Sequence, residues 1–252
     1  MTDNSLRDNN EFYRRFWHEH PLYLTPFPNS DEGERAAVIL RFLSVMLETM
    51  PPTAPRSLRM LDLGCGRGWL TQLASLFGAC EGCEPTPEAV ALARQLFPNL
   101  VFHCGTLDML LASPGFRAFD LVLSSEVIEH IPAAGKAAFV DQIKAALVRG
   151  GHCIVTTPRG ELQSRVGHSS NQLIEEWLTE KELLDLFRSR GFQPVRSDRA
   201  YPTRATRLDR LYLGLSRRLE RLGLRIKAPS IEQALAYRSA LYQVWWFRLG
   251  SA

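Results

Sequence analysis

The sequence predicts an α/β protein in which helices cover both faces of a parallel sheet. Two observations lead to this prediction. Short apolar runs alternate with helical spacings along the middle of the chain, and several of these runs are apolar without polar alternation, which is typical of strands buried on both faces. In such sheets, ligands bind beside the carboxyl ends of the strands, where the strand order reverses.

The predicted elements follow in chain order. An amphipathic helix at 11–20 precedes a second helix that begins at the N-cap Asp31, with Glu34 completing a capping box, and ends before Pro51. Strands are then expected at 60–63, 80–84, 100–104, 119–125, 152–157, 192–197 and 241–249. Helices are expected at 69–76, 86–96, 133–147, 180–190 and, within a leucine- and arginine-rich stretch, 203–227.

Length and composition are those of one soluble globular domain, residues 1–252, with 45% hydrophobic and 23% charged residues. A net charge of +3 is too small to indicate a nucleic-acid partner. No apolar run approaches the roughly 20 residues of a membrane helix, and the polar start is unlike a signal peptide, so we expect a cytoplasmic protein. Its five cysteines are expected to be free thiols; Cys80 and Cys83 would point to opposite faces of one strand.

The segment 60–70, MLDLGCGRGWL, combines a buried strand, a glycine-rich turn and the start of a helix. Gly64, Gly66 and Gly68 allow backbone amides to approach a ligand closely, because no Cβ stands in the way. Asp62 ends the strand, and Glu84 follows about twenty residues later. The last glycine spacing differs from the dinucleotide fingerprint G-x-G-x-x-G, so NAD is the weaker interpretation.

Four segments occur in an order that is characteristic of one family. LDLGCGRGWL resembles motif I, GCEPTPEAV the second-strand segment, FDLVLSSEVIEHIP the fourth-strand motif and LVRGGHCIVTTP the fifth. Together they make residues 58–200 similar to the class I S-adenosylmethionine (SAM) dependent methyltransferases, and in particular to the ubiquinone-biosynthesis O-methyltransferases. The resemblance implies a Rossmann-like, seven-stranded, mostly parallel sheet with an antiparallel last strand. It also implies SAM as cofactor and S-adenosylhomocysteine as product.

The resemblance divides the single domain into four parts. Residues 1–55 would form an N-terminal helical cover, 56–197 the cofactor-binding core, 198–240 a helical insertion on the substrate side, and 241–252 the final strand. Within the insertion, 203–227 carries a leucine stripe expected to pack on the domain, together with eight basic and two acidic residues, a net of six positive charges. A solvated helix face is the commonest meaning of such a charge pattern; an anionic acceptor or peripheral contact with an anionic membrane also fits.

The resemblance assigns cofactor contacts along the carboxyl edge of the sheet. Asp62 would order the turn and reach the methionine amine through water, Glu84 would accept both ribose hydroxyls, and the Ser125 carbonyl would accept from the methionine amine. Thr106 stands where many relatives carry an acidic residue for the adenine amine, and Asp108 is the alternative. The full set is Asp62, Gly64, Cys65, Gly66, Gly68, Glu84, Thr106, Leu107 and Ser125.

The candidates for the chemistry are Glu126, Glu129 and His130, which follow the fourth strand. Methyl transfer to a hydroxyl needs a base, and the pKa of histidine lies near working pH, so His130 is the preferred base. The alternative is that His130 only braces the loop. In some relatives the same spacing holds a divalent metal, for which His168 would be the fourth ligand; we do not favour a metal here.

These observations predict SAM-dependent methyl transfer to a hydroxyl of a small molecule or of a glycan or nucleotide-sugar precursor. Three alternatives stay open: a small-molecule N-methyltransferase, a metal-dependent RNA 2'-O-methyltransferase, and a SAM-binding partner protein without catalysis. The residues expected to line the acceptor pocket are Tyr13, Trp17, Tyr23, His168 and Tyr201.

Overall fold

The computed structural model describes residues 23–49, 58–166, 174–202 and 228–250, with Arg15, Leu211, Leu215 and Arg218 as single helical positions. The predictions made for the helix at 11–20 and for most of 203–227 lie outside the described residues. The same holds for three expected acceptor or metal residues: Tyr13, Trp17 and His168.

Seven strands form one sheet in the order β3-β2-β1-β4-β5-β7-β6. Their bounds are β1 Leu58–Leu63, β2 Gly78–Glu84, β3 Val101–Cys104, β4 Phe119–Ser125, β5 Leu147–Pro158, β6 Phe192–Pro202 and β7 Ala240–Leu249. The first five strands pair in parallel, and β7 runs antiparallel to both β5 and β6. This confirms the predicted fold class.

The strands alternate with helices, as the apolar spacing predicted. The α-helices are α1 Ser30–Thr49, α2 Trp69–Ala74, α3 Pro87–Leu96, α4 Leu107–Leu111, α5 Ala133–Ala146, α6 Gln163–Val166, α7 Glu180–Ser189 and α8 Ala228–Ser239. Two 3-10 turns cover Ile128–His130 and Gly160–Leu162. In the part of the chain that the structure describes, no helix is long and apolar enough to cross a membrane.

The sheet separates two apolar layers. On one face, α4, α5 and α7 pack against residues such as Leu61 and Val122; on the other, α1 and α2 pack against Met60 and Leu121. Neighbouring strand residues alternate between the layers because strand side chains have a period of two. Cys80 and Cys83 accordingly fall in opposite layers, and all five cysteines are free thiols.

The start of α1 differs from the prediction. The capping box lies two residues earlier: the Asn29 side chain accepts from the Glu32 amide at 3.0 Å, and the Glu32 carboxylate accepts from the Asn29 amide at 2.8 Å. Asp31 and Glu34 match the capping-box sequence pattern as well as Asn29 and Glu32 do. The box at Asn29 has a further interaction, because the Glu32 carboxylate also pairs with the buried Arg67.

Several strands are longer than predicted, and β5 and β6 exceed the prediction most. β5 spans Leu147–Pro158 instead of 152–157, with Gly150 at φ 72° in a stretch where its pairing with β4 shifts register. The pair Gly150-Gly151 forms an irregularity inside this extended segment. β6 continues to Pro202, so the first residues of the predicted insertion 198–240 are strand.

The remainder of the insertion is described in part. Ala228–Ser239 is helical, as are the single positions Leu211 and Leu215, which are 71% and 54% exposed. The prediction that the leucine stripe packs on the domain is therefore wrong at these two residues. The suggested substrate-side role of 203–227 stays a prediction.

Phe247 is expected to be a major contributor to stability. It is fully buried, and its ring stacks on Phe187 with centroids 4.4 Å apart. Phe247→Ala should lower the free energy of unfolding by about 3–5 kcal/mol through lost burial and a residual cavity. Val195→Ala, at a position that is 48% exposed, should change it by less than about 0.5 kcal/mol. Guanidinium unfolding curves that give similar values for both variants would contradict this packing.

Candidate cofactor and active site

A glycine turn joins β1 to α2. Gly64, Gly66 and Gly68 have φ values of 73°, 49° and 83°, a region that side chains with a Cβ rarely adopt. Space is also short, because a Cβ on Gly64 would lie 2.4 Å from Val127 Cγ2. The turn thus requires glycine for its backbone shape and for its close approach to the loop after β4.

Asp62 lies beneath this turn, 1% exposed, near the carboxyl end of β1. Its carboxylate accepts a 2.7 Å hydrogen bond from the Thr71 hydroxyl in α2. Burial raises the pKa of Asp62 to about 7, against the opposing effect of the Thr71 hydrogen bonds. Asp62 therefore connects the strand before the turn to the helix after it, and its role toward a cofactor stays a prediction.

Glu84 ends β2 beside the turn. Its carboxylate accepts from the Gly66 amide at 3.2 Å and from the Thr86 amide at 2.9 Å. Burial raises its pKa, although these hydrogen bonds act in the opposite direction. The structure thus brings Glu84 and the glycine turn together, as the spacing predicted.

The other predicted cofactor residues line the same edge with different exposure. Cys65 is buried in the turn, Thr106 is exposed just before α4, and Leu107 is buried. Asp108 accepts a 2.8 Å hydrogen bond from the Gln142 side chain. The carboxylate proposed as an alternative to Thr106 is thus already engaged with α5.

Two carboxylates follow β4 and bond to hydroxyls at the end of β5. Thr156 donates to Glu126 at 2.9 Å, and Thr157 donates to Glu129 at 3.0 Å. Since the Thr156 proton goes to Glu126, the Ser125 hydroxyl is the donor in its 2.8 Å bond with Thr156. Glu126 has φ 58°, which is unusual for a residue other than glycine and often marks functional sites.

Burial raises the pKa of both Glu126 and Glu129. Arg35 opposes this shift at both carboxyls, and each of the two glutamates retains a raised pKa. Desolvation therefore outweighs Arg35 at both carboxyls, and their raised pKa values favour the neutral, protonated form.

His130 ends the 3-10 turn after β4, and its ring is held from one side. Nδ1 bonds to the Ile174 carbonyl at 3.0 Å, and because a carbonyl only accepts, Nδ1 carries the proton. The basic lone pair is then at Nε2, which lies 3.8 Å from Glu129 Oε1. Glu126, Glu129 and His130 thus share one loop, but the three do not converge on a common point: within the described residues, no group of three or more His, Cys, Asp or Glu could hold a metal.

The sequence interpretation missed Arg35, which lies on α1 with its side chain 7% exposed. Its Nη1 donates to Asp31 at 3.0 Å, its Nε is 3.9 Å from Glu126, and its guanidinium lies 4.4 Å from the centre of the Tyr242 ring. Tyr242 also donates to Asp31 at 2.9 Å. The pattern offered no signal for this network, since it joins residues from α1, the β4 loop and β7.

The two described acceptor candidates lie on either side of this network. Tyr201, at φ 60°, packs against Tyr242 with ring centroids 6.2 Å apart. The ring centre of Tyr23 lies 5.4 Å from the Arg67 guanidinium, and burial raises the pKa of Tyr23. Both are therefore engaged in packing, and their role toward an acceptor stays a prediction.

Fold and site together define a class. A parallel sheet with a glycine turn after β1, a carboxylate ending β2, and an antiparallel β7 is the architecture of the class I SAM-dependent methyltransferases. The chain belongs to the methyltransferase domain family, which matches residues 33–197.

Curated relatives agree with this assignment. The ubiquinone biosynthesis O-methyltransferase of Cereibacter sphaeroides is 31% identical over 163 residues, covering 57% of this chain and 64% of that protein. The protein of the same name from a Bradyrhizobium strain is 35% identical over 105 residues, covering 40% of each chain. The chain thus spans less than two thirds of the length of these relatives.

Solved structures share the fold at low identity. The N-methyltransferase NodS of Bradyrhizobium japonicum, in complex with S-adenosylhomocysteine, matches with a TM-score of 0.63 at 16% identity, over 96% of this chain and 99% of that one. Magnesium protoporphyrin IX methyltransferase from Synechocystis, with bound SAM, matches with a TM-score of 0.59 at 13% identity, over 96% of this chain and 98% of that one. At these identities the likeness shows the fold alone.

Asp62 is expected to make stability depend on pH. Its pKa of about 7 in the folded protein exceeds the roughly 3.9 of an unfolded aspartate, so between these values the folded protein keeps a proton that the unfolded chain has released. Stability therefore falls as pH rises through this window, by up to about 1.4 kcal/mol per pH unit from this group. Asp62→Asn keeps an oxygen for Thr71 but does not titrate. Urea unfolding at several pH values should give a flatter slope for the variant, and equal slopes would contradict the raised pKa.

Proposed function

We propose that this protein binds SAM at the carboxyl edge of β1, β2 and β4 and transfers its methyl group to a hydroxyl of a small molecule. The observation that carries this proposal is the excess of buried carboxylates around the glycine turn and the β4 loop: Asp62, Glu84, Glu126 and Glu129, each with a raised pKa. SAM carries a sulfonium and an ammonium, and a cationic ligand would lower these pKa values by favouring the ionised carboxylates, so its binding and their ionisation would support each other.

Glu84 and the glycine turn suit different parts of SAM. Glu84 bonds to backbone amides and could accept hydrogen bonds from both ribose hydroxyls, since a carboxylate has several acceptor sites. Because the glycines of the turn carry no Cβ, a methionyl group could approach the turn amides closely beside Asp62. The O-methyltransferase names of the curated relatives, and the SAM and S-adenosylhomocysteine in the solved neighbours, support the same ligand and an oxygen acceptor.

The chemistry requires an in-line approach and a base. Because the leaving group of SAM is a neutral thioether, no acid is needed, whereas a hydroxyl nucleophile must lose its proton. The tautomer of His130 supports a role as base, since its Nδ1 proton is directed to the Ile174 carbonyl and the basic lone pair is therefore at Nε2. Lys136 stabilises the same loop by donating to the carbonyls of Ile128 and Glu176 at 2.5 and 3.1 Å.

The cofactor assignment is tested by calorimetry with SAM and S-adenosylhomocysteine. Glu84→Gln should weaken binding of both by about 10- to 100-fold, the value of charged hydrogen bonds to the ribose. The matched control is Glu81→Gln, the same change on the same strand, where the carboxylate bonds instead to Arg59 and His103. The control should bind within about twofold of the native protein. Equal losses in both variants would remove Glu84 from the ribose site.

The base assignment is tested with two variants of His130. His130→Asn offers a side-chain N–H to the Ile174 carbonyl but has no base, whereas His130→Ala lacks both. If His130 is the base, both variants should lower turnover by about 10²- to 10⁴-fold at unchanged SAM affinity. Formation of S-adenosylhomocysteine is measured with a panel of phenols, sugar nucleotides and amines. Near-native turnover in His130→Asn would assign the bracing role instead, and reaction only with amines would exclude the oxygen acceptor.

A further inference from the structure

The side chain of Arg67 leaves the glycine turn away from Glu84 and enters the N-terminal part of the protein. This side chain is 0% exposed, and Arg67 lies between Gly66 and Gly68 in the sequence. We use the name strap for residues 23–29, which lead into α1. Arg67 contacts the strap and the first turn of α1 at the same time.

Four hydrogen bonds define this contact. Nε donates to the Thr25 carbonyl at 2.8 Å, and Nη2 donates to the Phe27 carbonyl at 3.0 Å. Nη1 and Nη2 also donate to the two carboxylate oxygens of Glu32 at 2.8 and 2.7 Å. The guanidinium further lies 5.4 Å from the ring centre of Tyr23. One side chain of the turn thus bonds to backbone and side-chain groups of the strap and of α1.

The strap depends on these bonds for its attachment. The Phe27 side chain is 73% exposed and that of Leu24 is 41% exposed, so these two apolar side chains contribute little burial. Its carbonyls at Thr25 and Phe27 bond to Arg67, and its last residue, Asn29, shares the capping box with the same Glu32 that pairs with Arg67. The position of the strap therefore follows the position of the Arg67 guanidinium.

The direction of the Arg67 guanidinium depends on the backbone conformation of the glycine turn. Gly66 and Gly68 flank Arg67 with φ values of 49° and 83°, and glycine dihedrals are the softest in the chain. A ligand that contacts the turn amides restricts these dihedrals and so restricts the direction of Arg67. By linkage, a seated strap favours the same turn conformation and hence the ligand.

We infer that Arg67 is a positioning residue that couples ligand binding at the glycine turn to the seating of strap 23–29 through its paired bonds to Glu32 and to the strap carbonyls. This inference rests on the proposed SAM binding. It goes further by assigning a role to a residue of the turn whose side chain points away from the ligand.

The test combines hydrogen exchange with ligand dissociation, using S-adenosylhomocysteine as probe. In the native protein, the probe should slow amide exchange in peptides that cover 23–33. The double variant Arg67→Met with Glu32→Met replaces the buried ion pair with apolar side chains, a change that often preserves folding. It should still bind the probe but show no ligand-dependent protection of the strap, and the probe should dissociate about tenfold faster.

The matched control is Arg59→Met with Glu81→Met, an ion pair of 2.8 Å on β1 and β2 outside the strap and the turn. It should retain native protection of the strap and the native dissociation rate. If the Arg67 double variant does not fold, Arg67→Lys keeps the charge but loses the planar two-point pairing, and it should show partial loss of both effects.

The outcomes separate the two proposals. Absence of probe binding by the native protein would refute the proposed function. Binding by the native protein, with equal strap protection and equal dissociation rates in the native protein and in the Arg67 variants, would refute the coupling and leave the proposed function intact. Loss of protection in the control as well would show that global destabilisation, and not Arg67, loosens the strap, and would also overturn the inference.

Discussion

The burial of carboxylates along one sheet edge is the constraint on which the site depends. Removing an ionised carboxylate from water is costly, and the structure offsets part of this cost with hydroxyl donors: Thr71 for Asp62 and Thr156 for Glu126. The part of this cost that is not offset appears as raised pKa values of Asp62 and Glu126. A cationic ligand would favour the ionised form of these carboxyls and would lower their pKa values, whereas a neutral ligand would leave them in the protonated form that burial favours.

Strand order explains why these carboxylates meet. β1 lies between β2 and β4, so chain segments that are more than twenty residues apart end at one edge. The crossover from β3 to β4 reverses the direction in which strands are added, and the ends of β1 and β4 then form a crevice. Gly64 and Val127 meet there too closely for any side chain at the glycine. The same close packing that shapes the turn therefore also places the β4 loop.

Much of the fold was predictable from local pattern. The strand 119–125 agrees with the structure at both ends, and α3, predicted at 86–96, spans Pro87–Leu96. The wrong prediction of the α1 start concerns a place where two local solutions were equal in sequence. Asn29 and Asp31 are both good N-caps, and the pairing of Glu32 with Arg67 distinguishes them only in three dimensions.

The sequence by itself determined the class of fold, the glycine turn and the carboxylates Asp62 and Glu84, because strand periodicity and glycine spacing are local properties of the chain. The tertiary structure alone decided what the buried Arg35 and Arg67 do. Arg67 and Glu32 are 35 residues apart, and Arg35 approaches Glu126 from a different element. Their pairing depends on where α1 packs against the sheet. That position results from the sum of many apolar contacts, so no residue spacing in the sequence predicts it.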